Sequence, residues 1–414
     1  MINIYIQFLI LCSGLLVNFL IPVLFGLEEY GLFIKANILV FLFHKFTDVV
    51  SEPLISNVDK KILLPVSVSI GVCILFLFLI VNCFFSAGSP FLLASMIWSS
   101  SVLLTIIAQK LTKWVVFYLS TFIIIFLSLL FSVAFKVISL SITDVMGITN
   151  FVPATFCLFV LLGTKQLEIA FDKIYLNFII MLQLIPRLFS LTLVNNLFTN
   201  ILPFYLSFVF PPQLLGLFRV QVSIVQSVIA IFPINSKIIS AYFRESHSGN
   251  NFIEHTLRIS LNYFCIIALF GYIFVGLYED KLEYAQVFIL LPVMHAAVIL
   301  ERYMLGLSKN KNLIIINLMV SILSCFLVLW VQTISQMMLL YSTGISLYLL
   351  SMLFVTNSFK FKKLVCLIAV STPLIVFFSI HSGLVGVVSL LFFALMVFLF
   401  IPVNKQSMSL LRGY

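Results

Sequence analysis

The sequence predicts an all-α polytopic membrane protein with about fourteen transmembrane helices, alternatively twelve, in two bundles related by a parallel repeat. Three observations carry this reading. Of the 414 residues, 63% are hydrophobic and 9% charged, a balance that soluble domains do not show. The apolar residues gather in long runs, most of which supply the ~20 residues that a helix needs to cross ~30 Å of hydrocarbon. Sixteen of the 23 Lys and Arg residues fall in every second gap between those runs or in the tail after the last, which is the signature of cytoplasmic loops.

In chain order the runs are 5–26, 31–57, 62–86, 90–109, 114–135, 143–163, 188–210, 214–243, 257–278, 284–306, 312–332, 335–356, 364–380 and 384–403. The first has no basic stretch before it and no small-residue cleavage site, so it reads as a first spanning helix rather than a removed signal peptide. Alternate gaps carry Lys60, Lys61, Lys110, Lys113, Lys165, Lys173, Arg187, Arg244, Arg258, Lys309, Lys311, Lys360, Lys362 and Lys363, and the tail adds Lys405 and Arg412. The other gaps hold only Lys136 and Lys281, beside Glu28, Glu29, Asp144, Glu279, Asp280 and Glu283. The basic gaps and both termini are therefore expected in the cytoplasm. The net charge of +9 follows from this asymmetry and gives no reason to invoke nucleic acid.

Every gap on the other side is short: 26–30, 86–89, 136–142, 211–213, 279–283, 331–334 and 381–383. The longest stretch without a spanning run is residues 164–187, polar at first and apolar from Ile174 to Ile185, where Pro186 stops it. That apolar part is too short to cross a bilayer and suits an interfacial helix. It divides the chain into a six-helix bundle at 1–163, a connector at 164–187, a second six-helix bundle at 188–356, and an extra helix pair with its tail at 357–414.

Chemistry must then occur inside the membrane or be absent. The seven cysteines at 12, 73, 83, 157, 265, 325 and 366 form no CxxC pair and lie near no histidine at ligand spacing, so neither a disulfide framework nor a metal site is expected. No hydrolase, zinc-protease, phosphate-loop or dinucleotide motif stands in a suitable context. The sequence favours a transporter without cofactor over an enzyme.

An internal repeat supports that reading. Asn18 to Phe33 contains Pro22, a short turn and Gly31-Leu32-Phe33; Asn200 to Phe218 contains Pro211, a short turn and Gly216-Leu217-Phe218. Six runs separate the copies, so both have the same orientation, a parallel repeat about an axis along the membrane normal. The run after each copy carries charge. Run 31–57 holds Lys35, His44, Lys45, Asp48 and Glu52, and the last four share one helical stripe. Three ionised groups facing lipid would cost up to ~10 kcal/mol, so the stripe must face protein or a wet cavity.

Run 214–243 holds Arg219 and Lys237 on one face, with Gln226 close to it. Arg219 matches Lys35 within one position when the glycines are superposed. Lys35, Lys45, Arg219 and Lys237 are thus candidate cations for an anionic headgroup such as a phosphate or pyrophosphate. The bland alternatives are an ion pair of Lys45 with Asp48 or Glu52, and snorkelling of Lys35, Arg219 and Lys237 to the interfaces. His44, Asp48 and Glu52 read either as counter-ions or as ion-coupling groups. Adjacent Glu301 and Arg302 read as an interfacial pair, and His295 as a packed or hydrogen-bonded histidine.

The Leu27-Glu28-Glu29-Tyr30-Gly31-Leu32-Phe33 turn, with its degenerate copy ending in Gly216-Leu217-Phe218, resembles the polysaccharide-unit flippases of the multidrug/oligosaccharidyl-lipid/polysaccharide exporter superfamily, among them the O-antigen flippases. The resemblance is confined in sequence to about 16–20 residues in each half, while the topology agrees nearly end to end. It implies two helical bundles about a cationic cavity, lined at Lys35, Lys45, Arg219 and Lys237. It further implies movement of an undecaprenyl-pyrophosphate-linked oligosaccharide, the O-antigen repeat unit, from the cytoplasmic to the periplasmic leaflet of a bacterial inner membrane. An O-antigen polymerase and a chain-length regulator would be its partners, besides membrane lipids. The family is often drawn with twelve helices, and runs 364–380 and 384–403 are then the extra pair. Two rivals follow from the same pathway and superfamily. A membrane polymerase would need a larger periplasmic loop than any here, and a drug or cation exporter would need a more acidic cavity.

Overall fold

A computed structural model of the chain describes residues 20–57, 63–104, 140–163, 202–230, 250–278, 282–306, 310–356 and 362–404, with isolated positions elsewhere. Among them every regular element is helical. Eight helices are long and apolar enough to cross a membrane: 64–85, 142–163, 252–276, 286–304, 311–328, 334–355, 362–381 and 383–400. The protein is an all-α, multi-pass membrane protein. The connector helix expected at 174–185, the whole of run 114–135 apart from isolated positions, and Lys237 lie outside the described residues.

The chain forms two compact units, one of residues 1–196 and 203–220, the other of residues 197–202 and 221–414. The first contains α1 (Ile21–Phe25), α2 (Leu27–Asn57), α3 (Leu63–Phe85), α4 (Pro90–Ile97) continuing as a π-helical turn (Trp98–Leu104), α5 (Ile142–Gly163), α6 (Leu202–Val209) and the start of α7 (Pro212–Ala230). Here α2 packs against α3, α4 and the π turn, and α4 against α5. Ser89 caps α4 by accepting from the Leu92 amide at 3.3 Å, with Pro90 in the first turn where its missing N–H costs nothing. Gly26 (φ +88°) makes the sharp corner between α1 and α2, and its amide donates to the Pro22 carbonyl at 2.9 Å.

The second unit contains the rest of α7, α8 (Asn250–Ile273) with a π turn (Phe274–Tyr278), α9 (Leu282–Ala285), a 3₁₀ turn (Gln286–Leu290), α10 (Leu291–Gly306), α11 (Asn310–Val328), α12 (Ile334–Val355), α13 (Lys362–His381) and α14 (Gly383–Phe400). Within it α8 packs on α10 and α14, and α12 on α10, α11 and α13. A capping box starts α12: the Gln336 amide donates to Thr333 Oγ1 at 3.3 Å, and the Thr333 amide donates back to Gln336 Oε1 at 3.2 Å. Pro153 and Pro373 stand inside α5 and α13 without ending them, as membrane helices permit when neighbours satisfy the freed backbone groups.

α8 begins seven residues before the apolar run that predicts it. Its extra turns carry Glu254, which pairs at 3.4 Å and i,i+4 spacing with Arg258 at the start of the run. A hydropathy reading registers only the apolar portion of such a helix. Farther along, Arg258 Nη1 donates to the Pro402 carbonyl at 3.2 Å and Asn262 Nδ2 to the Ile401 carbonyl at 2.7 Å. Two side chains of α8 thereby satisfy carbonyls at the C-terminal end of α14.

Candidate functional site

The charged stripe lies on α2, a continuous helix from Leu27 to Asn57. Lys35 is exposed and His44 half-buried, while Lys45, Asp48 and Glu52 occupy helical positions whose side chains are outside the description. Arg219 is half-buried on the opening turns of α7.

The two repeat glycines meet. A Cβ on Gly31 would overlap the Pro212 carbonyl and stand 2.9 Å from Pro212 Cα; a Cβ on Gly216 would overlap the Leu27 carbonyl and stand 3.2 Å from the Gly31 amide nitrogen. Pro212 precedes Gly216 by four residues, and Leu27 precedes Gly31 by four. The contact is reciprocal: each glycine receives the backbone one turn before the other. Backbones approach this closely only where side chains are absent. The sequence shows the Gly-Leu-Phe repeat, but only the fold shows that its two copies touch.

Beside this crossing the Arg219 guanidinium sits 5.9 Å from the centre of the Phe41 ring, over its face. Phe41 meets Phe33 edge-on at 6.1 Å, and Phe33 stacks on Tyr30 at 6.3 Å. The buried Tyr30 hydroxyl lies within electrostatic and hydrogen-bonding reach of the same guanidinium. The cation is thus held by an aromatic ladder along α2, through attraction to the ring quadrupole and to a phenol oxygen. Tyr30, Phe33, Asn37, Phe41 and His44 recur at steps of three and four, the spacing of one helical face.

Asn37, buried on that face, donates from Nδ2 to the Phe33 carbonyl at 3.0 Å and accepts the Ser89 amide at Oδ1 at 2.8 Å. The turn before α4 is thereby tied to α2. Gly88 (φ +85°) brings that turn so near that a Cβ would stand 2.8 Å from Val40 Cγ2 and 3.1 Å from the Ala36 carbonyl.

Two turns deeper is a group of hydroxyls. Thr47 Oγ1 donates to the His44 carbonyl at 2.6 Å and lies 2.9 Å from Ser100 Oγ. Ser100 Oγ donates to the Met96 carbonyl at 2.6 Å and lies 3.4 Å from His44 Nδ1. Thr47 and Ser100 are fully buried. Ser100 belongs to the π turn, a wider helical turn that often marks functional positions. In it Ser100 reaches α2, while the next residue, Ser101, comes within 3.1 Å of where a Cβ on Gly71 of α3 would be.

In the second unit His295 is buried against Phe232 and Phe264, at 4.3 and 4.5 Å between ring centres, with Nδ1 2.5 Å from Ser260 Oγ. Glu301 accepts from the Tyr348 hydroxyl at 3.3 Å, and Asn317 Nδ2 donates to that same oxygen at 3.1 Å. Glu301 thus bridges α10 to α11 and α12 rather than serving only beside Arg302. No cluster of metal-ligating side chains occurs among the described residues.

These features define the class: an all-helical, multi-pass membrane protein built on a repeated, glycine-packed helix turn. A solved structure with this fold is the lipid II flippase MurJ in an inward closed conformation, with a TM-score of 0.62 and 16% identity over 96% of this chain and 98% of that one. That fold has 14 helices, in agreement with the larger of the two expected numbers. No protein-family model and no curated protein matches the sequence.

Proposed function

We propose that this protein is a flippase that moves an undecaprenyl-pyrophosphate-linked oligosaccharide, the O-antigen repeat unit, from the cytoplasmic to the periplasmic leaflet of the inner membrane, with no covalent chemistry of its own. The observation that carries the reading is the end-to-end fold shared with a lipid-linked-substrate flippase. The charged α2, and the Arg219 that the repeat sets against it, are the chain's own support. A pyrophosphate cannot cross hydrocarbon unaided, because an unpaired charge there costs far more than thermal energy supplies. Lys35, Lys45, Arg219 and Lys237 would neutralise it, and His44, Asp48 and Glu52 would serve as counter-ions or ion-coupling groups.

In this reading both termini are cytoplasmic and the chain divides at 164–187 into a six-helix bundle and an eight-helix remainder. The transported unit passes to an O-antigen polymerase under a chain-length regulator. The test is the surface glycan profile of a deletion strain, with the leaflet of its lipid-linked units determined. Loss of surface polymer with complete units facing the cytoplasm supports the proposal. A lipid A core capped by one unit would show that flipping persists and would point to a polymerase. The fold neighbour motivates a second reading, lipid II as the substrate; rescue of a strain depleted of its own lipid II flippase would favour it.

A further inference from the structure

Among the described residues α2 and α7 meet at the reciprocal glycine crossing, where Gly31 and Gly216 each admit the backbone of the other helix. The two helices share no extended packing beyond it. Backbone against backbone gains mainly dispersion, which is small over so short a contact. No interlocked side chain has to be withdrawn to part them. Beside the crossing one long side chain ties the helices together. Arg219, three residues past Gly216, reaches from α7 to α2, over the Phe41 ring at 5.9 Å and within hydrogen-bonding reach of the buried Tyr30 hydroxyl. Tyr30 adjoins Gly31, and all of these residues belong to the first unit.

This tie is made without a counter-ion. Among the described residues no carboxylate pairs with Arg219, and Glu28 and Glu29, next to Tyr30 in sequence, stand exposed on the first turn of α2. A guanidinium held by a ring and a phenol keeps its capacity for a bidentate bond to phosphate, the stronger of the two associations. An anion cannot follow the cation to its resting place. Tyr30, Phe33 and Asn37 are buried there, and the Asn37 amide is already committed to the Phe33 carbonyl and the Ser89 amide. A phosphate on that face would lose its water and gain no further donor. The cation has to come out to meet it.

We propose that Arg219 is an anion-released latch: a phosphate or pyrophosphate group binds the guanidinium, draws it off Phe41 and Tyr30, and leaves the glycine crossing to hold α2 to α7. No covalent bond changes. The ligand shifts the crossing because it binds the released cation and not the latched one. Linkage fixes the sign of the reverse effect: Phe41 holds the cation against the anion, so removing the ring raises anion affinity. A ring that served packing only would leave that affinity unchanged, and a ring that helped to bind the headgroup would lower it when lost. As the step that parts α2 from α7 during transport the latch rests on the flippase reading; as an anion-released contact it does not.

The test uses the full chain in lipid nanodiscs, with spin labels at the exposed Glu29 and Gln213. Labels attached through ketone-bearing amino acids leave the seven cysteines untouched. Electron resonance reads the separation of the two helices as inorganic pyrophosphate is added at constant ionic strength. In the parent the separation should lengthen and saturate. Phe41→Leu should lengthen it before any anion is added and lower the half-saturating pyrophosphate by about 2- to 30-fold, the range to which one cation–π contact converts. Arg219→Ala should be long throughout and blind to pyrophosphate. Should Arg219→Ala fail to assemble, Phe41→Leu decides alone. A parent separation that ignores pyrophosphate, a response that survives in Arg219→Ala, or unchanged or weaker pyrophosphate binding in Phe41→Leu overturns the proposal. No lipid-linked unit enters the measurement, so its failure and a failure of the flippase reading are distinguishable.

Discussion

Gly31 and Gly216 occupy equivalent places in the two copies of the repeat, and each is pressed against the backbone one turn ahead of the other. A side chain at either position meets main chain rather than a flexible neighbour, and main chain has nowhere to go. Gly31→Ala and Gly216→Ala should each destabilise by about 1–3 kcal/mol, the usual penalty for overpacking. Leucine at either site should prevent stable assembly. Gly163, with nothing within 4 Å of its would-be Cβ, is the control, and alanine there should leave the thermal midpoint in detergent unchanged or raised.

Arg219 offers a cleaner separation of packing from transport. Phe41→Leu removes the ring beneath the guanidinium and should cost about 0.5–2 kcal/mol while leaving the charge in place. Arg219→Ala and Lys45→Ala should instead abolish surface polysaccharide with normal amounts of protein in the membrane. Full-length surface polymer in both alanine variants would refute the cationic assignment.

Asn37 should matter to stability more than to transport. Its replacement by Ala strips the half-buried Ser89 amide of its acceptor, and losing such a bond costs about 0.5–1.5 kcal/mol. We expect a lower unfolding midpoint and faster proteolysis within residues 86–89. Equal proteolysis of variant and parent would mean that the turn is held by other contacts.

Asn262→Leu should loosen the far end of α14, because the Ile401 carbonyl then loses the amide that reaches it at 2.7 Å. Hydrogen exchange of the last turn of α14 is the measurement. Acceleration confined to that turn is expected, and unchanged exchange would argue against the clamp.

The spans were legible because their apolar residues are contiguous: runs 62–86 and 335–356 became α3 and α12 to within two residues. The π turn was not, since Ser99, Ser100 and Ser101 lie inside an apolar run and a change of helical pitch leaves no mark on hydropathy. The early start of α8 escaped for the opposite reason, its first turns being polar. Within the site, charge made His44 and Arg219 visible in the sequence. Their partners Ser100, Thr47, Tyr30 and Phe41 are uncharged, and nothing in a single sequence tells which uncharged residue another helix will bring alongside. The spacing of Tyr30, Phe33, Asn37, Phe41 and His44 was the available hint, one face holding an unusual share of aromatic and polar groups.

The tie from α8 to the end of α14 has a temporal side. Arg258 and its acceptor on Pro402 are 144 residues apart, and Asn262 and Ile401 are 139 apart, so both donors leave the ribosome long before their acceptors exist. Until then those donors must be met by other partners. Completion of the last helix is thus reported to one made much earlier, and a nascent chain that stalls short of Ile401 presents an unfinished α8 to the quality-control machinery of the membrane.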